Sequence, residues 1–312
     1  MSIINECNDI FYIVIKDSGC MVFLINNTTE FHYYNIMIKP FINCFLPFIT
    51  NYEIVDETHK ADICIFGIQL NDLTKLRSNE INILFCTENC NKWTHYSHYN
   101  LFGNFGNTLV NIYIYNHINE FIYGSNYIAI PIVYLFCKYF NDNYSVVSKR
   151  YGIPFKSKKF CLFISRNKLN NSKKELFNIM NKLQLGKIDY IEKYDDLIKH
   201  ASCYWSDELL RIFNKYKFIV CIENSIDIGY ITEKIFNVFF SNSIPIYSGS
   251  PSISQYINDK CYINYSNNES LIKKVIKLSS KEQYYIKTLN RNKIRSNIID
   301  IFNSNIQNIR LK

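Results

Sequence analysis

Lys234 is the residue on which a chemical reading of this 312-residue chain turns. It follows Thr232 and Glu233 at the start of an apolar-periodic segment. Ahead of it lie the short apolar run Phe218–Ile222, then Glu223 and Asn224, then a Gly-containing loop with Tyr230. A second apolar run, Ile244–Tyr247, closes at Gly249. The pattern predicts strand, loop, helix, strand: one βαβ unit, whose ligands sit beyond the strand carboxyl ends. The first turn of such a helix offers unpaired N–H groups and a partial positive charge, both suited to a phosphate. Lys234 adds a full charge there. Glu88 stands in the same relation to the run Ile81–Cys86, where a carboxylate is either a general base or an ordinary exposed loop acid. Cys86, Cys90, His95 and His98 form C-x3-C-x4-H-x2-H, within zinc chemistry. Against zinc, Cys86 belongs to an apolar run and the Cys–His gap is short for a finger.

Other strand-length runs must carry these groups. Phe11–Ile15, Ala61–Phe66 and Ile81–Cys86 are β-branched and end at polar or Gly residues, and Tyr127–Ile132 is extended with Pro131 inside it. Between Asn141 and Lys159 the chain turns polar and basic, the composition of an interdomain linker. Phe160–Ile164 opens a second series of elements. Two doubly wound α/β domains facing across a cleft are the expected architecture.

Composition agrees with a globular chain: 48% hydrophobic, 20% charged, with only 9 Gly and 6 Pro. The length favours two domains of ordinary size. Eleven cysteines at irregular spacing, several inside apolar runs, fit free buried thiols in a reducing compartment better than a disulfide framework. Glu6 and Asp9 stand where a signal peptide needs positive charge. The longest apolar stretch, near Tyr127–Cys137, is far shorter than the ~20 residues a membrane span requires. The expectation is a soluble, cytoplasmic protein. From Lys273 to Lys312 there are ten basic and two acidic residues, so this end carries a surplus equal to the whole chain's net charge of +8. A solvated helical surface accounts for it; a weak peripheral membrane contact is the alternative. The basic residues are dispersed and lack an interleaved aromatic stripe, which argues against nucleic acid.

The segment around Lys234 resembles the signature of the α1,3/4-fucosyltransferases, glycosyltransferase family 10. The resemblance is carried by Tyr216-Lys217-Phe218, Ile222-Glu223-Asn224-Ser225, Tyr230-Ile231-Thr232-Glu233-Lys234 and Ile244-Pro245-Ile246, four blocks in the family's order and spacing. Further blocks are Lys60-Ala61-Asp62-Ile63, Ile83-Leu84-Phe85-Cys86-Thr87-Glu88-Asn89, Tyr127-Ile128-Ala129-Ile130-Pro131 and Lys158-Lys159-Phe160-Cys161. Together they cover about residues 60–265.

The resemblance implies a GT-B type fold of two Rossmann-like domains, 1–145 on the acceptor side and 150–275 binding the GDP-sugar; the charge pattern adds a basic helical segment, 276–312, which no motif places. It implies inverting transfer of fucose from GDP-fucose to a hydroxyl of an oligosaccharide or glycoconjugate. Glu88 is then the catalytic base, Lys234 and Tyr230 meet the diphosphate, Glu233 the ribose hydroxyls, and Asn224 the nucleotide–sugar pocket. The family's phosphate-gripping Arg aligns with Lys174, and Arg166 lies close enough to replace it. Thr87 stands where the family commonly has Gly, and Tyr247-Ser248-Gly249-Ser250-Pro251 lacks the family's Trp. No Asp-x-Asp is present, so no metal is strictly required, with Mn2+ at most stimulating. Glu223 is left as support. Another GDP-sugar on the same fold, or a non-catalytic glycan- or nucleotide-binding protein, stays open.

Overall fold

The computed structural model describes residues 11–16, 52–55, 63–66, 81–85, 110–115, 120–123, 127–164, 171–191, 207–265 and 268–307. The chain divides into two compact units. One is Met1–Leu135 with Ile228–Tyr230 and Ile299–Lys312; the other is Phe136–Asp227 with Ile231–Ile298.

In the first unit, strands β1 (Phe11–Lys16), β2 (Tyr52–Val55), β3 (Ile63–Phe66), β4 (Ile81–Phe85), β5 (Val110–Tyr115), β6 (Ile122–Tyr123) and β7 (Tyr127–Pro131) form one sheet. Its order is β2-β1-β3-β4-β5-β7-β6, with every pairing parallel except β6 against β7. The run at Tyr127 stops at Pro131, and helix α1 (Ile132–Val147) begins at the next residue. The polar stretch from Asn141, expected as linker, is thus helical through Val147. Its polar residues lie on the exposed side, and Lys138 pairs with Asp142 one turn on (2.5 Å).

The second unit holds β8 (Lys159–Ile164), α2 (Asn171–Lys182), β9 (Ile188–Ile191), α3 (Asp207–Asn214), β10 (Tyr216–Ile222), α4 (Glu233–Phe240), β11 (Ile244–Ser248), α5 (Ile253–Tyr256), β12 (Ile263–Asn264), α6 (Asn268–Ser280) and α7 (Glu282–Leu289). Helix α8 (Ser296–Gln307) comes after α7. The sheet runs β12-β11-β10-β8-β9, all parallel. Burial on both faces explains why β8, β10 and β11 read as near-continuous apolar runs instead of alternating. Phe163, Phe218, Ile246, Leu176, Val275 and Tyr285 lie in one core cluster.

Two features hold α4 against this sheet. Residues Ile235–Phe240 are all buried, and Phe140 of α1 packs its ring 5.8 Å from Phe236, 5.8 Å from Phe239 and 4.7 Å from Phe240. At the far end Asn242 takes a left-handed conformation (φ 55°). Its N–H bonds to Phe239 O and that of Ser243 to Val238 O, a Schellman stop that turns the chain into β11.

Among the described residues, no helix is long and apolar enough to cross a membrane.

Candidate nucleotide-sugar site

In the second sheet the chain runs from β8 to β9 on one side, then returns to place β10 on the other. The order therefore reverses between β8 and β10, and an open parallel sheet leaves a ligand crevice beyond the carboxyl ends at such a point. Glu223 and Asn224 come directly after the last residue of β10. The Glu223 N–H extends the ladder by one bond, to Ser248 O (2.9 Å), before the chain leaves the sheet.

Glu223 is buried at 4% exposure and organises the start of α4. One carboxylate oxygen accepts the Thr232 N–H (2.9 Å) and the other accepts the Thr232 hydroxyl (2.7 Å). Thr232 is the N-cap residue of α4, with extended backbone (φ −106°, ψ −178°), yet its side chain caps no helix N–H. Its hydroxyl proton goes to Glu223 instead. The helix start is therefore held from outside, by a carboxylate nine residues earlier, and the first turn is left without the usual Thr cap.

Lys234 lies in that first turn. Its ammonium donates to the Ile222 carbonyl (3.0 Å) and Asn224 Oδ1 (3.1 Å) and sits 3.4 Å from Glu223 Oε2. The lysine side chain keeps 28% of its exposure while the Glu223 side chain has 0%. Gly249 closes over the acid from β11. A Cβ there would fall 2.4 Å from Glu223 Cγ and 2.5 Å from Tyr247 Oη, so only glycine fits. Tyr247 Oη accepts the Ser250 N–H (3.1 Å), fixing the Gly-Ser-Pro turn. Burial, then the Glu223 carboxylate, pushes the Tyr247 phenol well above its ordinary value, and the same two causes act on the Cys221 thiol.

The structure thus brings Asn224 and Lys234 together. Glu233 is half-buried in the same helical turn, and Tyr230 is buried in the Ile228–Tyr230 segment that belongs to the first unit. Lys174 is exposed on α2 and is not among the groups around Lys234. Glu88, Arg166 and the Cys86/Cys90/His95/His98 cluster lie outside the described residues. Among the described residues, no group of three or more His, Cys, Asp or Glu side chains is arranged to hold a metal. The sequence marks Glu223 only as support. Its larger role lies in the pairing of the strand-end acid with Thr232 ahead of the helix, which only the folded loop brings about.

The second unit is an open parallel α/β fold with a held ammonium at the carboxyl end of β10, one of the two strands that flank its switch point, the class of fold that takes ligands in such a crevice. Residues 153–303 match the family described as Glycosyltransferase family 10 (fucosyltransferase) C-term. This region, just under half of the chain, is the part that is similar to glycosyltransferase family 10. The Helicobacter pylori alpha-(1,3)-fucosyltransferase FucT is 36% identical over 86 residues, 27% of this chain and 18% of that protein. Alpha-(1,3)-fucosyltransferase B of Drosophila melanogaster is 38% identical over 85 residues, 26% of this chain and 19% of that protein. The chain thus covers less than a fifth of either relative. The crystal structure of an alpha1,3-fucosyltransferase with GDP-fucose has the same fold at a TM-score of 0.57 and 18% identity, covering 99% of this chain and 94% of that one.

Proposed function

We propose that the protein is an inverting glycosyltransferase that moves fucose from GDP-fucose to a glycan hydroxyl, forming an α1,3 or α1,4 linkage. The observation that carries this is the Lys234 ammonium, held by Ile222 O and Asn224 Oδ1 at the carboxyl end of β10 within the family's signature segment. Relatives named as fucosyltransferases support fucose as the transferred sugar.

In this scheme two α/β domains face each other across the cleft where transfer occurs. The acceptor oxygen attacks the anomeric carbon of fucose from the side opposite the diphosphate. The C–O bond to the diphosphate breaks, its electron pair leaves with GDP, and the acceptor proton passes to Glu88. Lys234 and the first turn of α4 stabilise the charge that develops on the leaving diphosphate. Tyr230 and either Arg166 or Lys174 complete the phosphate contacts, Glu233 accepts the ribose hydroxyls, and Asn224 lines the nucleotide–sugar pocket. No metal is strictly required.

A thermal-shift panel of nucleotides and nucleotide sugars tests the donor. GDP and GDP-fucose are expected to raise the melting temperature and UDP-sugars to leave it nearly unchanged. A UDP-sugar giving the largest shift would overturn the assignment. With the donor fixed, Glu88→Gln should lower turnover by about 10²–10⁴-fold and leave GDP affinity in place.

A further inference from the structure

We propose that Glu223 sets how tightly the site holds a diphosphate, acting as a fixed negative counterweight to Lys234 and resting on the assignment of Lys234 to the donor's diphosphate. The nearest oxygens to the ammonium are neutral: Ile222 O at 3.0 Å and Asn224 Oδ1 at 3.1 Å. The carboxylate is farther, at 3.4 Å. Two neutral anchors therefore suffice to place the ammonium. Likewise, the Thr232 N–H and hydroxyl, both bonded to Glu223, ask only for a side chain with an acceptor and a polar partner. A glutamine would supply the acceptor through its amide oxygen and could donate to the Thr232 hydroxyl through its amide nitrogen. What glutamate adds over glutamine at this position is charge.

That charge cannot move away when a ligand arrives. The Glu223 side chain is wholly covered, and the Gly249 backbone approaches so closely that a Cβ there would lie 2.4 Å from its Cγ. Lys234, at 28% exposure, faces solvent in part. An incoming diphosphate meets a pair whose charges nearly cancel, with the negative member just behind the positive one. Both the direct repulsion and the partial neutralisation of Lys234 loosen the grip. In a transferase this has a use. GDP is left in the site after every transfer and must leave before the next donor enters, and a bare ammonium would hold it longer.

Titration calorimetry at low ionic strength with GDP, GMP and guanosine tests the proposal on the full chain. Glu223→Gln should bind GDP about tenfold more tightly, GMP by a smaller factor, and guanosine as the wild type does. Unchanged or weaker GDP binding by E223Q, or an equal change for guanosine, overturns the counterweight. If E223Q does not fold, Asn224→Asp supplies the opposite arm at an exposed position, adding a charge where Lys234 now meets an amide oxygen. N224D should weaken GDP about tenfold and guanosine by a smaller factor, and an unchanged GDP affinity or an equal change for both overturns the proposal. A wild-type protein that binds no GDP would sink the donor assignment, and this inference with it. Wild-type binding with the wrong variant response sinks the inference alone.

Discussion

Two lysines mark opposite ends of the second sheet, and their surroundings differ in kind. Lys158 precedes β8 and is buried at 7% exposure. Its ammonium meets Asn214 O (2.6 Å), Asn214 Oδ1 (3.1 Å), Tyr216 O (3.4 Å) and Asn242 O (3.0 Å), all neutral. These belong to the end of α3, the start of β10 and the turn after α4, so one side chain ties three connections together. Lys234, at the carboxyl end, has two neutral oxygens, one carboxylate and a share of solvent. A lysine used for structure is enclosed by neutral oxygens. The lysine proposed to meet a ligand sits at the rim with an acid beside it. Under the proposed function, the amino end of the sheet stays shut and the carboxyl end exchanges partners.

Crossed substitutions test that division most strongly. Lys158→Ala leaves buried carbonyls short of a donor, each costing about 1–3 kcal/mol, so urea denaturation should show a loss of about 3 kcal/mol. GDP affinity of the folded protein should not change. Lys234→Ala should weaken GDP about ten- to a hundredfold, the worth of a charge-assisted contact of about 1.5–3 kcal/mol. It also strips a buried carboxylate of its counter-ion, a destabilising step that adding Glu223→Gln should reverse. No such rescue should exist for Lys158→Ala. If Lys158→Ala abolishes GDP binding in a protein that still melts cooperatively, the two ends are coupled and the division fails.

Gly249→Ala is a smaller perturbation confined to the carboxyl end. Its Cβ would collide with Glu223 Cγ and Tyr247 Oη. Overpacking of this kind costs about 1–3 kcal/mol. Because the displaced group is the acid that holds Thr232, GDP affinity should shift together with the melting temperature. A drop in melting temperature with GDP affinity intact would show that Glu223 tolerates displacement.

Local patterning makes much of this legible. The runs at Phe218, Ile244, Phe160 and Ile81 correspond to β10, β11, β8 and β4 within a residue or two, and for β8, β10 and β11 the reason is that strands buried on both faces are continuous apolar runs. Val110–Tyr115 does not stand out in the sequence, although it pairs with β4 and β7. Its polar Asn111 and mixed Tyr pattern mark no boundary, and only the neighbouring strands define it. Lys158 is visible as part of a family block, but its partners lie 56 to 84 residues away, so its enclosure comes from tertiary structure alone. Glu223 shows the same limit at short range. A strand-end acid and a Thr nine residues on carry no signal until the loop folds one onto the other.

The smallest expected effect is a slope in the pH dependence of stability. Burial draws Lys158 from 10.5 down to about 7, against the pull of the four oxygens around it. Between those values the unfolded chain holds the proton more firmly than the folded one. Stability from this group is therefore lowest below about pH 7 and rises as pH climbs toward 10.5. Lys293, drawn by burial to about 8, acts in the same sense. Buried Cys137 and Cys161 act oppositely, because burial raises their thiols while an unfolded thiol ionises near about 8.5. The window in which Lys158 leads is thus about pH 6.5–7.5, below the Lys293 value, where its slope is bounded by about 1.4 kcal/mol per unit for one proton. Urea denaturation across that window should give a rising stability in the wild type and a flatter line in Lys158→Met. Equal slopes in the two proteins would mean that the carbonyl cage keeps Lys158 charged throughout. The amino-end lysine would then hold its proton as firmly folded as unfolded, and burial would not be what separates its behaviour from that of Lys234.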